Sequence, residues 1–239
     1  MIKIKATITG ADKVLRMLEA GPKQVRYATA VALTKTGKGY ERELNKELLS
    51  GLDSPSPYTK RSTFSTSASK QKLEVTVGIK DKKPSGGTAP DVLLKEHFSG
   101  GRRGNKPYEL ALMSMGAMPK GYRAITGAGI KVDAYGNPTR KAIGELLGGL
   151  RTGLNVVGRR GKESTTVGYF AIQPGAASHL APGVYKRINQ RAILPMLIFV
   201  PSAAYRKRFD LPRSASRYVG RHFSAHFEAA YRLAQATAR

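Results

Sequence analysis

Residues 23–50, KQVRYATAVALTKTGKGYERELNKELLS, carry the longest regular pattern in the chain. Their apolar positions recur at intervals of three and four residues, which is the spacing of one face of an α-helix. Pro22 is well placed as a first helical residue, and Gly51 closes the helix. The apolar stripe needs a covering layer, and it consists of Val25, Ala28, Ala32, Leu33, Tyr40, Leu44 and Leu48.

Two glycines lie inside this predicted helix. Gly37 and Gly39 each cost a helix about 1 kcal/mol relative to alanine. A glycine kept at such a position indicates either a kink or a neighbouring helix that approaches closely.

Period-two patterns flank the helix and predict strands. Apolar and polar residues alternate over 2–8, and a short helix is predicted for 12–20. The proline-rich stretch 52–60 is predicted as a loop. After it, residues 62–67 and 73–79 predict an antiparallel pair of strands.

The second half alternates helices and strands without a regular βαβ order. Pro195, inside the most apolar strand, indicates an edge or a bulge there. Pro212 begins a C-terminal helix whose predicted inward residues are Val219, Phe223, Phe227, Ala230 and Leu233. The other predicted elements are helices at 90–98, 108–115 and 139–150 and strands at 167–173, 184–188 and 193–200.

These elements predict an α+β protein, with an antiparallel or mixed sheet packed against the long helix and the C-terminal helix. The length alone allows one large domain or two small ones, and we expect a single domain over residues 1–239. Residues 116–138 are predicted to be mostly irregular around a tight turn at 133–138. The predicted extended loops, several of them basic, lie near 81–90, 99–107, 116–138 and 151–165.

The charge of the chain indicates an acidic partner. Lys and Arg number 41 against 16 Asp and Glu, a formal net charge of +25. Such a surplus repels itself in an isolated compact protein, so nucleic acid, an acidic protein surface or a membrane is expected to neutralise it. Cysteine is absent from the sequence, which excludes disulfides, thiolate zinc sites and cysteine nucleophiles.

The sequence shows no apolar run of the kind that directs or anchors a protein to a membrane. Residues 1–6 alternate charged and apolar residues, unlike a signal peptide. The longest apolar stretch, 192–204, is interrupted by Pro195 and Pro201 and is short of the roughly 20 residues that a spanning helix needs. We expect that the protein is made and kept in the cytosol and has no membrane partner.

Residues for catalysis are scarce. His222 and His226 have the i, i+4 spacing of two zinc ligands, but the glutamate of the HExxH motif is missing between them, so a packed or contact pair is the favoured interpretation. His97 follows Glu96 and has no nucleophile near it in the sequence. Neither nucleotide-binding glycine loops nor a nucleophile elbow occur. We expect no enzymatic activity, no cofactor and no metal.

Three short basic clusters are the candidate binding residues, two of them in predicted loops. Arginine forks bind phosphates or carboxylates, whereas the alternative is ordinary solvated charge. No aromatic strand, zinc finger or compact basic helix accompanies the clusters, which disfavours sequence-specific recognition of nucleic acid. The residues are Arg102, Arg103, Lys106, Arg159, Arg160, Lys162, Arg206, Lys207 and Arg208.

Several segments, in this order, resemble the minor tail protein Z group of tailed bacteriophages. The first group is Ala30-Val-Ala-Leu-Thr-Lys-Thr-Gly, Ser56-Pro-Tyr-Thr-Lys-Arg-Ser-Thr-Phe and Val77-Gly-Ile-Lys-Asp. Phe98-Ser-Gly-Gly-Arg-Arg and Pro107-Tyr-Glu follow. The last group is Gly183-Val-Tyr-Lys-Arg, Leu194-Pro-Met-Leu-Ile-Phe-Val-Pro and Tyr205-Arg-Lys-Arg-Phe-Asp.

The resemblance implies a structural virion protein, a tail-completion or minor tail component at the neck where heads join tails. It further implies a homo-oligomeric ring around the DNA channel, partners among tail, adaptor or portal proteins, and contact with genomic DNA. The alternative from charge alone is a nucleic-acid-binding protein without sequence specificity.

Overall fold

The fold is described from a computed structural model. The structure describes residues 5–8, 23–82, 88–157, 165–202 and 204–237. The predicted helix over 12–20 and the cluster Arg159, Arg160 and Lys162 lie outside these residues.

The elements follow one another in an irregular order of helices and strands. The elements before Gly100 are β1 (Lys5–Ile8), α1 (Lys23–Gly51), α2 (Pro57–Lys60), β2 (Thr63–Ser65), β3 (Val75–Ile79) and α3 (Pro90–Ser99). The remaining elements are β4 (Gly101–Arg102), α4 (Pro107–Ser114), β5 (Arg123–Thr126), α5 (Arg140–Thr152), β6 (Leu154–Val157), β7 (Thr165–Ile172), β8 (Gly183–Arg187), β9 (Ile193–Val200), β10 (Ala204–Tyr205) and α6 (Leu211–Ala236).

The contacts of the chain gather into two compact units. The first unit comprises Met1–Gly101 and Arg206–Arg239, and the second comprises Arg102–Tyr205. The single domain expected over residues 1–239 stays a prediction. The predicted α+β class is confirmed, since the pairings within the three-stranded and five-stranded sheets are antiparallel and the two longest helices are α1 and α6.

The first unit is a helical layer on a three-stranded sheet of order β1-β3-β2. Helix α1 contacts β2, β3 and α6, while α6 also contacts β1. The core between the layers contains Leu33, Leu44 and Leu48 of α1 and Val75 and Val77 of β3, all almost fully buried. The predicted stripe of α1 is therefore its buried face, and the predicted pairing of the strands at 62–67 and 73–79 is confirmed.

Helix α1 runs through both of its glycines without a break. A methyl group at Gly37 would collide with Val75 Cγ1, and one at Gly39 would collide with the Tyr218 hydroxyl of α6. The predicted close approach of a helix is correct at Gly39, whereas at Gly37 the approaching element is the strand β3. The glycines allow the strand and the second helix to lie directly against the α1 backbone.

The second unit contains a five-stranded antiparallel sheet of order β5-β9-β8-β7-β6, with α5 packed against β7. Its core includes Leu146, Val184, Leu197 and Phe199. The register between β8 and β9 shifts at Val184/Tyr185, where Tyr185 pairs with Pro195. Of the two interpretations of Pro195, the bulge is correct, since β9 has neighbours on both sides. Strands β4 and β10 pair with each other.

Three predictions about local structure are wrong. The loop predicted at 52–60 contains the helical turn α2, which Ser56 caps by accepting from the Thr59 amide. The loop near 151–165 includes the end of α5 and the paired strands β6 and β7. Leu233, predicted to point inward, is 63% exposed, whereas Ala230 and Ala234 beside it are the buried residues of this turn of α6.

The stretch 116–138 is mostly irregular, as predicted. It also contains the strand β5, which was not predicted and which forms because β9 offers it a sheet edge.

Candidate interaction surface

The first predicted cluster is largely absorbed into the second unit. The Arg103 guanidinium donates through both terminal nitrogens to the carboxylate of Glu109, whose side chain is fully buried. The same carboxylate accepts from the backbone amides of Lys106 and Ala124, each at 2.7 Å. Arg103 also donates to the Ala124 carbonyl at 3.2 Å. Its charge is therefore neutralised inside the fold.

The ionisation of Glu109 is set by these contacts. Burial favours the neutral acid, but the hydrogen bonds from Arg103 and from the Ala124 and Lys106 amides outweigh it and hold the pKa of Glu109 below its ordinary value. Burial and the Arg103 charge lower the pKa of Lys106, whose Nζ lies 5.7 Å from the Tyr108 ring centre. Arg102, by contrast, is exposed and remains a candidate contact residue.

The third predicted cluster lies immediately before α6 and is exposed. Lys207 Nζ is 3.0 Å from Asp210 Oδ2, and this contact lowers the pKa of Asp210. Arg208 donates from NH1 to the Gly51 carbonyl at 2.6 Å, at the C-terminal end of α1. Arg208 is thus held in place, while Arg206 is exposed with its charge toward solvent.

A row of cations runs along the face of α1 opposite its buried stripe. Lys35, Lys38, Arg42 and Lys46 follow one another at helical spacing, and all four are exposed. They are separated by three or four residues, so they lie above one another along the helix.

A second row lies on α6. Arg213, Arg217 and Arg221 are spaced by four residues and are exposed. Because α1 and α6 pack side by side on the sheet, both rows lie on the outer side of the helical layer. We call these seven residues, four on α1 and three on α6, the cationic face.

Two glutamates lie between the rows. Glu43 and Glu47 follow Tyr40 by three and seven residues, and the Tyr40 hydroxyl donates to the Leu211 carbonyl of α6, so this side of α1 faces α6. Burial and the Glu43 charge raise the pKa of Glu47, against the opposing charge of Arg217. The outer surface therefore presents lysine and arginine, then glutamate, then arginine.

The histidines of α6 take part in packing. The rings of His222 and His226 are 6.2 Å apart, and His226 Nδ1 is 2.9 Å from Thr36 Oγ1 of α1. Burial, the His222 charge and the Lys35 charge lower the pKa of His226. Across the described ranges, no three histidine or carboxylate side chains come together as metal ligands.

His97 also packs within the first unit. Its ring lies 6.4 Å from that of Phe209, and its carbonyl accepts from the amides of Arg208 and Phe209. Burial and the Arg208 charge lower its pKa. The residue therefore joins α3 to the segment before α6.

Sequence reasoning missed the cationic face because its cations are not adjacent in the chain. The signal was present: cations at 35, 38, 42 and 46 and at 213, 217 and 221 repeat with the helical period. The polar positions of the predicted helices form a pattern of their own, just as the apolar positions do.

Comparison of the chain with protein-family models, with curated proteins and with solved structures finds no match. None of the helices in the described part of the chain combines the length and the apolar character that crossing a membrane requires.

Proposed function

We propose that this chain is a non-enzymatic structural protein of a tailed bacteriophage, a tail-completion or minor tail component that binds neighbouring subunits at the neck. In this proposal it is made in the host cytoplasm, assembles into a ring and becomes part of the virion. Its partners are tail, adaptor or portal proteins with acidic surfaces.

The cationic face is the observation that carries the proposal. It places seven exposed cations on two rigid helices, which is where a lasting contact between subunits can be held in fixed geometry. Positive and negative groups arranged in a set pattern select a partner with the complementary pattern. In this proposal, the positive charge of the chain binds neighbouring subunits during assembly.

The glutamates between the rows favour a protein partner over nucleic acid. Glu43 and Glu47 would lie against a bound polyanion, and a nucleic-acid backbone carries negative charge at every phosphate. A protein surface can set its own cations opposite these two residues. The same ordering of charges therefore supports the assembly function above the nucleic-acid alternative.

Two of the segments that carry the resemblance to minor tail protein Z belong to the framework of the fold. Gly37, which closes the first of them, packs against Val75 and Val77 of β3. Gly183–Arg187 pairs with Ile193–Val200 in the large sheet. The resemblance therefore supports a shared framework, while the surface supports the contact.

The direct test is to purify the particles produced from the genome that encodes the chain and to search them for it by mass spectrometry. Recovery in stoichiometric amounts is expected, and absence from intact particles would refute the proposal. Electron microscopy of particles carrying the triple variant Lys38→Glu, Arg42→Glu and Arg217→Glu should show unjoined heads and tails.

A matched control keeps the charge change and moves it elsewhere. The variant Lys120→Glu, Lys131→Glu and Arg140→Glu reverses three exposed cations of the second unit. Normal particles are expected from it. DNA binding by the purified proteins, measured over a range of salt concentrations, tests the alternative of a nucleic-acid-binding protein. The negative slope of log affinity against log salt concentration becomes shallower by about 0.9 for every phosphate contact that a variant loses.

A further inference from the structure

A groove of about 390 Å³ lies at one end of the cationic face, where α1 ends and α6 begins. Phe209, which is 8% exposed, is one of its lining residues. The side chains of Arg208, Arg213 and Arg217 line it, and all three residues are exposed. Three arginine residues therefore border one small volume.

The three arginines differ in whether their guanidinium groups already make hydrogen bonds within the protein. Arg208 is fixed by its bond to the Gly51 carbonyl, which uses one of the five N–H groups of its guanidinium. In the described part of the chain, no hydrogen bond or ion pair reaches the guanidinium of Arg213 or Arg217. Most donors around the groove thus remain available to a ligand.

The other polar groups of the groove already have partners. Asp210 is paired with Lys207 and accepts from the Arg213 amide at 3.3 Å. Ser214 Oγ lies 2.6 Å from the Tyr40 hydroxyl, and Ser50 Oγ donates to the Glu47 carbonyl at 3.1 Å. Among the described residues that line the groove, the Glu47 carboxylate is the other acidic group, and its pKa is raised by burial and by Glu43.

We propose that this groove receives an aspartate or glutamate side chain from an acidic segment of a partner protein, bound by the guanidinium forks of Arg208, Arg213 and Arg217. A carboxylate matches the fork of a guanidinium in a two-point hydrogen bond. A single side chain entering the groove meets the three arginines and Glu47, whereas a continuous phosphate backbone would extend beyond the groove and also run past Glu43. The inference rests on the proposed function in one respect, that the partner is a protein.

The test uses the full-length protein and isothermal titration calorimetry with a glutamate hexapeptide. A glutamine hexapeptide and a single-stranded DNA hexanucleotide are the reference ligands. The groove variant is Arg213→Gln with Arg217→Gln. The control is Arg140→Gln with Arg151→Gln, which removes two exposed arginines from α5 of the second unit, outside both the groove and the cationic face. Circular dichroism verifies that each variant is folded.

The groove variant is expected to bind the glutamate peptide about tenfold more weakly, because two charge-assisted hydrogen-bonding groups are removed. The control variant should bind within about twofold of the unchanged protein, since it leaves every arginine of the groove in place. The variant Arg213→Lys with Arg217→Lys retains the charge but not the forks, and it should also bind more weakly than the unchanged protein.

Equal weakening in the groove and control variants would overturn the proposal, because net charge alone would then explain the binding. Tighter binding of the DNA hexanucleotide than of the glutamate peptide, abolished in the groove variant, would overturn the choice of ligand. Failure of the peptide to bind would overturn the groove site and leave the presence of the protein in virions unaffected. Absence from virions would conversely leave the peptide result standing.

Discussion

The carboxylate of Glu109 accepts hydrogen bonds from both terminal guanidinium nitrogens of Arg103, which lies six residues earlier in the chain. The side chain of Glu109 is fully buried, and that of Arg103 is 12% exposed. Two backbone amides complete its shell. This relationship fastens the segment before α4 to β5, because Ala124 of β5 both donates to Glu109 and accepts from Arg103. Arg103, which the sequence predicted as a binding residue, therefore has its charge paired with Glu109 inside the fold.

Replacing Glu109 by alanine should lower the free energy of unfolding of the second unit by about 3–5 kcal/mol, since it leaves the Arg103 charge and two amides without their partner. Urea unfolding followed by circular dichroism measures it. The control is Glu145→Ala, whose exposed partner Lys141 is 4.0 Å away and whose removal should cost less than about 0.5 kcal/mol. Equal effects of the two variants would contradict the role assigned to Glu109.

The same pair predicts a pH dependence. The pKa of Glu109 is lower in the folded protein than the ordinary value of 4.5, so the unfolded chain takes up a proton first as the pH falls. Its contribution to stability is complete above that value and disappears as the pH falls through the folded pKa. Urea midpoints measured downward from pH 6 should show this decline, and Glu109→Gln should flatten this part of the curve.

Gly37→Ala should destabilise the first unit by about 1–3 kcal/mol through overpacking against the β-branched Val75, despite the better helix propensity of alanine. Gly220→Ala on α6 is the matched control, because open space surrounds that position, and it should stabilise by about 0.5–1 kcal/mol. Thermal unfolding of both variants gives the sign of each effect. A stabilised Gly37→Ala protein would show that β3 does not lie against α1 as described.

Gly39→Ala should cost less than Gly37→Ala. Its added methyl group meets the Tyr218 hydroxyl, which is the far end of a side chain that can move aside, whereas Val75 is held in a strand. The same thermal experiment ranks the two, and a larger destabilisation at Gly39 would contradict the expected ease of moving Tyr218.

Tyr40→Phe should lower the free energy of unfolding of the first unit by about 1 kcal/mol, because it removes the hydrogen bond from the Tyr40 hydroxyl to the Leu211 carbonyl. The effect stays small because Ser214 Oγ can still donate to that carbonyl. Burial raises the pKa of Tyr40 from 10.0 to about 12. The unfolded chain therefore ionises first, and stability falls between pH 10 and 12. Urea midpoints over this range should fall less steeply in the variant than in the unchanged protein.

The longer helices and most strands were predictable because their signals are local. The apolar stripe of 23–50 and the alternation of 73–79 are repeated many times within one element, so a few atypical residues do not obscure them. Pro212 similarly marks the start of α6 through its fixed φ angle, and the structure adds the cap from Asp210.

Strand β5 was missed because four residues between glycine-containing turns carry little pattern of their own. Residues 123–126 become a strand because residues 197–200 of β9 lie opposite them and offer hydrogen bonds, and this partner is more than seventy residues away in the chain. Pairing of this kind depends on which elements meet in the folded chain, and that information is not contained in the short segment itself.

The α+β class, the two long helices and the large positive charge follow from the order and composition of the residues, because helical and strand periods are properties of the chain itself. Where that charge is available depends instead on the folded arrangement. Packing of α1 and α6 on one sheet brings cations that are about 170 residues apart in the chain onto one outer layer. In the second unit, the buried carboxylate of Glu109 pairs with Arg103, so the charge of Arg103 is not available to a partner. A charge is available to a partner when the fold leaves it exposed and unpaired, and both conditions arise from contacts between distant residues.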